Sequence, residues 1–272
     1  MEKMNKSIII FATLLFMSLC SCSSGSKQTA ARVDGIEIDS IVRDSIVALT
    51  SDADAPKCEV RLSIQYVKGK NAAKINHAIL NAGLLAPDYL FIGDKAIGIK
   101  QTVDSFIVKY FSDYKKDYAV LYRADRQHRE LYNCYYKLRT STISEREGVL
   151  TYIAHISNYG GGAHESRQTI AKNIDVNTGR ILSLDDMFIH GYKDKLMNLI
   201  VKKLCERFGV EDLDGLSTKM IFADGNAYIP DNFIIGKDKL TFIYCEDEIA
   251  PHEIGEIRVD IDNDDLGKLL KS

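Results

Sequence analysis

The stretch VLTYIAHI at residues 149–156 carries apolar side chains on both faces of an extended chain. A strand that is covered on both faces lies inside a sheet, so this stretch predicts a central strand. On either side of it, apolar residues alternate with polar ones, which is the pattern of a strand with one buried face. These alternating segments are residues 60–66, 132–138, 170–176, 240–244 and 257–261, and residues 36–47 also favour extended structure.

Apolar residues at three- and four-residue spacing predict helices between these strands. Asn71 is expected to cap a first helix in which Ile75 and Ile79 share a face. A longer helix over residues 103–122 carries a stripe that includes Phe106, and a third ends at Gly209. Because helices and strands do not alternate as βαβ units, the predicted class is α+β, with antiparallel sheets packed against a few amphipathic helices.

Composition narrows the range of functions. The chain has 272 residues, of which 46% are hydrophobic and 27% charged, which excludes a wholly disordered or fibrous protein. Lys and Arg number 35 against 38 Asp and Glu, so the formal net charge is −3. Such a balance lacks the basic excess that nucleic-acid binding requires, and we expect no nucleic-acid partner.

The N-terminus predicts export and lipidation. Two lysines precede an apolar run at residues 7–19, which is shorter than the roughly 20 residues that a membrane crossing needs. We therefore expect a signal peptide over residues 1–21. The sequence LCSC at residues 19–22 resembles the bacterial lipobox, which implies cleavage before Cys22 and a diacylglycerol on its thiol.

Residues 22–34 are small and polar at first and are expected to form a flexible tether. The lipid on Cys22 would be the contact with the membrane. Because no acidic run follows Cys22, we expect a bacterial envelope protein anchored in the outer membrane and facing the periplasm.

Four cysteines remain, and an oxidising compartment permits disulfides in three full pairings. Their apolar neighbours favour free, buried thiols, and the pairing stays open; they are Cys58, Cys134, Cys205 and Cys245.

No motif for a nucleophile, a phosphate cradle, a zinc protease or a redox dithiol is present. His155 and His164 could approach each other across a hairpin, but the sequence offers no third ligand. We therefore predict no catalytic residue, no metal site and no cofactor.

The segment YGGGAH at residues 159–164 is unusual. Three glycines between two strands are typical of a hairpin connection with left-handed or bulged residues. They would also leave bare backbone that a ligand approaches closely, beside an aromatic ring and an imidazole. Candidate ligand-binding residues are therefore Tyr159, Gly160, Gly161, Gly162 and His164.

A series of short motifs resembles a bacterial domain-of-unknown-function family, number 3298, found in RsiV-type anti-sigma factors and PdaC-type peptidoglycan deacetylases. The motifs are YGGGAH at 159–164, NID at 173–175, TGR at 178–180, LDDMF at 184–188 and IAPHEIG at 249–255. His252, within the last motif, joins the candidate ligand-binding residues. Residues 57–122 resemble family 4163. The predicted halves are 35–145 and 146–272, packed as one unit because no flexible linker separates them.

The resemblance implies an envelope domain with an extracytoplasmic ligand, which is lysozyme in the RsiV type. We expect neither the sigma-binding segment of an RsiV-type protein nor the catalytic domain of a PdaC-type enzyme. The predicted function is a lipid-anchored binding module without catalytic activity. It would recognise an extracytoplasmic protein, such as a lysozyme-like hydrolase, or a wall glycan. The alternative is an envelope hydrolase that cleaves peptidoglycan-type glycan through His155, His164 or nearby carboxylates.

Overall fold

A computed structural model of the protein describes residues 32–33, 35–85 and 98–271. Its larger sheet has six strands in chain order. They are β1 (Arg32–Val33), β2 (Ile36–Ala48), β3 (Lys57–Gly69), β4 (Cys134–Ile143), β5 (Val149–Tyr159) and β6 (Ser166–Asp175). All neighbouring pairs are antiparallel except β3 and β4, which run parallel.

Two helices lie in the connection between the parallel strands: α1 (Ala72–Leu80) and α2 (Ile99–Ala124). They pack on the same face of the large sheet, in one hydrophobic core with its strands. Phe106 of α2 is 1% exposed, and its ring lies 5.3 Å from that of Tyr136 on β4. The apolar stripe predicted for residues 103–122 is therefore the buried face of α2.

The rest of the chain forms a second layer. It contains α3 (Leu184–Met187), α4 (Lys193–Phe208), α5 (Leu213–Thr218) and α6 (Asn263–Leu266). Its antiparallel sheet consists of β7 (Phe233–Ile235), β8 (Lys239–Tyr244) and β9 (Ile257–Asp262). These elements share a second hydrophobic core, and Gly209 ends α4 in the left-handed conformation, as expected. The predicted α+β class is confirmed.

Asparagine amides join the two sheets along β6. The Asn232 carboxamide accepts a hydrogen bond from the backbone N–H of Ala171 and donates one to the carbonyl oxygen of Thr169. The buried Asn173 side chain donates to the carbonyl oxygen of Phe233 and accepts from the N–H of Ile235. Each amide thus satisfies backbone groups that a neighbouring strand would otherwise pair.

Asn71 is the N-cap residue of α1, as predicted, and its carbonyl oxygen accepts a hydrogen bond from the N–H of Ile75. Asn71 adopts the left-handed conformation, with φ of 57°, and makes no side-chain cap hydrogen bond. Its amide instead donates to the carbonyl oxygens of Val176 and Asn177, at 2.9 and 2.7 Å. Asparagine tolerates this backbone conformation better than most residues, so its side chain is free to tie α1 to the turn after β6.

The predicted signal peptide 1–21 and the lipidation site Cys22 lie outside the described residues. Strand structure begins at Arg32, within the range predicted as tether, because Arg32 and Val33 pair with β2. The predicted boundary between residues 145 and 146 falls between β4 and β5 of the six-stranded sheet. No helix among the described residues is both long and apolar enough to cross a membrane.

The four cysteines of the described part are free thiols, as expected. Cys58 on β3 and Cys134 on β4 are buried register partners across the parallel pair. Contact with the Cys134 thiol, together with burial, raises the pKa of Cys58, so this residue stays protonated at neutral pH.

Candidate functional site

The face of the large sheet opposite α1 and α2 carries two rows of polar and basic side chains. The register places Arg61 opposite Lys137, Lys137 opposite Ser157, and Ser157 opposite Arg167. A second row lies two residues away along each strand and runs through Ser63, Arg139, His155 and Thr169. Because side chains in a strand alternate between faces, both rows project from the face that the helices leave open.

The second sheet covers only one end of this open face. Ile234 and Ile243 pack there against Ala171, with Ile143 and Ile153 beside them. Beyond this contact lies a cleft of about 750 Å³, which we call the open-face cleft. Its floor is formed by the two rows, and Glu246, Gly255, Glu256 and Arg258 from the second sheet's loops and β9 line it as well.

The open-face cleft is lined by more cations than carboxylates. Six cations line it against three carboxylates: Arg43, Arg61, Lys137, Arg139, Arg167 and Arg258 against Asp44, Glu246 and Glu256. Arg139 is exposed and has no ion-pair partner within residues 35–85 and 98–271. Four of the six cations are paired with carboxylates: Arg43 with Asp104, Arg61 with Glu59, Arg167 with Glu165 and Arg258 with Glu256. The lining thus keeps two cations, Lys137 and Arg139, without an ion pair in the described part of the chain. Such a lining attracts anionic ligands.

The glycine segment is a hairpin connection between β5 and β6, as its composition predicted. The carbonyl oxygen of Gly160 accepts a hydrogen bond from the Tyr118 hydroxyl, at 2.9 Å. Gly161 has φ of +84°, and a Cβ there would lie 1.8 Å from the carbonyl oxygen of Leu131. Gly160 and Gly161 therefore contact other parts of the chain closely. Gly162 has neither a positive φ nor a close contact that a side chain would disturb.

The Glu165 carboxylate connects the two strands next to this hairpin connection by hydrogen bonds. The Tyr135 and Ser157 hydroxyls donate to Glu165 Oε2, and Arg167 Nε donates to Oε1 at 2.7 Å. Hydrogen bonds from Tyr135, Ser157 and Arg167 lower the pKa of Glu165 to about 2. The half-buried ring of Tyr159 stacks on Tyr135, with centroids 5.7 Å apart.

The structure brings His164 to His252, with ring centroids 3.9 Å apart. His252 begins a short 3-10 turn between β8 and β9. Its Nδ1 lies 3.1 Å from Asp247 Oδ2 and 3.1 Å from Glu246 Oε1. The hydrogen bond that His252 donates to Asp247 raises the pKa of His252 above its ordinary value, and the charge of Glu246 contributes. Because Glu246 also lines the open-face cleft, this histidine pair lies at its rim.

Three side chains that could ligate a metal ion lie close together at this rim, although the sequence offered no third ligand for His155 and His164. One ligand atom from each of His164, Asp247 and His252 lies within 4.8 Å of the others. His155, the partner considered from the sequence, is outside this group, and its Nδ1 lies 3.1 Å from the hydroxyl oxygen of Thr169. No spacing rule joins residues 164 and 252, because the whole second core separates them along the chain.

The fold and the cleft define an α+β protein with a basic, open-faced sheet. Residues 185–264 match the family model described as "Protein of unknown function (DUF3298)", so this part of the chain is a DUF3298 domain. The match lies within the half predicted over 146–272 and covers α3 through β9.

Two solved structures share this fold. A DUF3298 family member from Bacteroides fragilis has 24% sequence identity and a TM-score of 0.76, over 89% of this chain and 96% of that one. A DUF3298 family protein from Pseudomonas aeruginosa PAO1 has 13% identity and a TM-score of 0.57, over 88% and 95% of the respective chains. No curated protein matches the sequence.

Gly161→Ala is expected to destabilise the protein strongly, because the new methyl meets the Leu131 carbonyl and the backbone conformation disfavours a side chain. Strain of this kind costs more than about 1 kcal/mol. Gly162→Ala is the matched control and is expected to change the free energy of unfolding by less than that. Urea unfolding of the two variants measures both values, and equal losses would contradict the packing argument.

Glu165→Gln is expected to lower the free energy of unfolding at pH 7 by about 1 kcal/mol, since hydrogen bonds to the charged carboxylate are lost. The folded-state pKa of about 2 lies below the ordinary value of 4.5. The stability that this carboxylate contributes is therefore complete above pH 4.5 and is lost as the pH falls through 2. Urea unfolding between pH 7 and 2.5 should show the free energy of unfolding of the wild type approaching that of the variant as the pH falls. A difference that stays constant over this range would contradict the assigned role of the Glu165 carboxylate.

Proposed function

We propose that this protein is a lipid-anchored binding module of the bacterial cell envelope, without catalytic activity, that holds an acidic wall glycan in the open-face cleft. The observation that carries the proposal is the pair of cations on β4, Lys137 and Arg139, which line the sheet floor without an ion pair in the described part of the chain. Peptidoglycan-type glycans carry carboxylates on their lactyl groups and peptide stems. An open cleft of about 750 Å³ suits a segment of an extended chain better than a fully enclosed small molecule.

The lining of the cleft supports sugar binding as well as charge recognition. Val42 is 66% exposed at the β2 side and offers apolar surface beside Arg61 and Arg139. Sugar rings present apolar faces and hydroxyl edges, so they fit a surface of mixed apolar and hydrogen-bonding groups. A protein ligand such as a lysozyme-like hydrolase is the alternative partner, and it would have to present an acidic patch to this surface.

Binding is better supported than hydrolysis. Glycoside hydrolysis uses two carboxylates that flank the bond to be cleaved. Of the three carboxylates that line the cleft, Glu256 accepts a hydrogen bond from Arg258 at 2.6 Å, and Asp44 lies 3.7 Å from Arg61. The hydroxyl that His155 contacts belongs to Thr169, which is 5% exposed and so poorly placed as a nucleophile.

Arg139→Glu tests the cleft directly. The exposed side chain is replaced by one of opposite charge at the centre of the floor, so we expect the affinity for soluble anionic wall fragments to fall at least tenfold. Arg123→Glu is the matched control, since Arg123 is an exposed cation on α2, on the other side of the sheet. Isothermal titration of the full chain in detergent measures the affinity of each variant for the wall fragments. The affinity of the wild type is also expected to fall as salt is added.

Two outcomes of that experiment would overturn the proposal. Equal affinities of Arg139→Glu and Arg123→Glu would show that the ligand binds elsewhere. Release of new reducing ends from the fragments during incubation with purified protein would establish the envelope hydrolase instead. Thermal midpoints of both variants, which should match the wild type, ensure that affinity rather than folding is compared.

The anchor is part of the same proposal. Its support is the lipobox-like sequence before Cys22, since three acyl chains hold a protein to a membrane far more firmly than one. Cys22→Ala is expected to move the protein from the membrane fraction to the soluble envelope fraction, as followed by immunoblot after fractionation. Retention of this variant in the membrane pellet after a carbonate wash would rule out the lipid anchor and the outer-membrane location that follows from it.

A further inference from the structure

We propose that His164, Asp247, His252 and Glu246 form a binding site for a divalent transition metal ion of the zinc class at the rim of the open-face cleft. The four side chains come from two separate parts of the fold. His164 lies in the turn between β5 and β6 of the large sheet, and the other three lie between β8 and β9 of the second sheet. A bound ion would therefore connect the two sheets where the cleft opens.

The spacing of the ligand atoms suits one shared ion. Around a tetrahedral zinc with bonds of about 2.0–2.1 Å, neighbouring ligand atoms lie about 3.3 Å apart. His252 Nδ1 lies 3.1 Å from Asp247 Oδ2 and from Glu246 Oε1, and a bound ion would take the place of the proton that now joins these atoms. One ligand atom each of His164, Asp247 and His252 lies within 4.8 Å of the others, and Glu246 adjoins this group through its contact with His252.

The ring of His164 is held in an orientation that leaves a nitrogen for the ion. Its Nδ1 lies 3.1 Å from the carbonyl oxygen of Glu165. A carbonyl oxygen can only accept, so Nδ1 carries the proton, and the lone pair is on Nε2. Metal-binding histidines commonly donate their second ring N–H to a carbonyl or carboxylate oxygen in this way.

Glu246 gives an independent indication of a missing ligand. Its side chain is only 8% exposed, although its neighbours Cys245 and Asp247 are accessible. Oε1 contacts His252, but Oε2 is buried without a hydrogen-bond partner in the described part of the chain. An unpaired buried carboxylate oxygen is costly, and a cation beside it would remove that cost.

The donor set selects the kind of metal. Two imidazoles with carboxylates suit zinc and related transition metals, whereas calcium and magnesium prefer oxygen ligands alone. Two carboxylates also balance the charge of a divalent ion, which would leave the rim neutral beside the basic cleft. Calcium is therefore expected to bind much more weakly than zinc or cobalt.

Cobalt(II) titration of the full chain in detergent tests the site without any wall ligand, so its result is independent of the proposed function. We expect wild type to develop the visible absorption of four-coordinate Co²⁺ and to release it to added Zn²⁺. Glu246→Gln keeps the shape and removes the charge, and it should weaken binding at least tenfold. The double variant His164→Ala/His252→Ala should lose the absorption entirely.

Two control variants address other metal ligands. His190→Ala removes an exposed imidazole outside the site, and Cys245→Ser removes the thiol next to Glu246; both should bind as wild type does. The proposal is overturned if wild type develops no such absorption, if Glu246→Gln binds as tightly as wild type, or if only Cys245→Ser abolishes binding. Circular dichroism of each variant confirms that it is folded.

Discussion

The parallel pairing of β3 with β4 is the constraint on which the rest of the architecture depends. Two parallel neighbours cannot be joined by a tight turn, so the chain must cross from one end of the sheet to the other between them. Here that connection carries α1 and α2, and both helices pack on one face of the sheet. The opposite face is left for the second sheet, which is too small to cover it, and the uncovered part becomes the floor of the open-face cleft.

Much of this fold could be predicted from local sequence patterns. Alternation identified the strands, and the stripe containing Phe106 identified the buried face of α2, because burial of one face leaves a period in the sequence. The parallel pair itself leaves no such period, since a strand has the same alternation whichever way its neighbour runs. The cap position of Asn71 was predicted, but the role of its side chain was not, because the amide bonds the carbonyl oxygen of Val176, whose position the local sequence does not reveal.

The candidate site was less predictable, and for two different physical reasons. The glycine turn stood out because three consecutive glycines lose much conformational entropy on folding. The need for Gly161 arises from its contact with Leu131, which no local motif reveals. The composition did not reveal the cations of the cleft, because the net charge of −3 is a sum over the whole chain and carries no information on where the charges lie. Register brings Arg61, Lys137 and Arg167 into one row, and the pairing partners of strands distant in sequence cannot be read from charge alone.

The amides of Asn173 and Asn232 have a consequence for the behaviour of the protein at high concentration. The outer strand of a sheet normally offers free backbone groups that recruit strands of other molecules and start aggregation. Along β6, Asn232 occupies the N–H of Ala171 and the carbonyl of Thr169, so these groups are unavailable to a second chain. At the other edge, β1 pairs only with Ile36 and Glu37, so β2 from Ile38 to Ala48 has no neighbouring strand on its outer side among the described residues. The Asn232 carboxamide thus closes part of one edge of the sheet to edge-to-edge polymerisation, whereas the open edge of β2 is the side to which a strand of another chain could add.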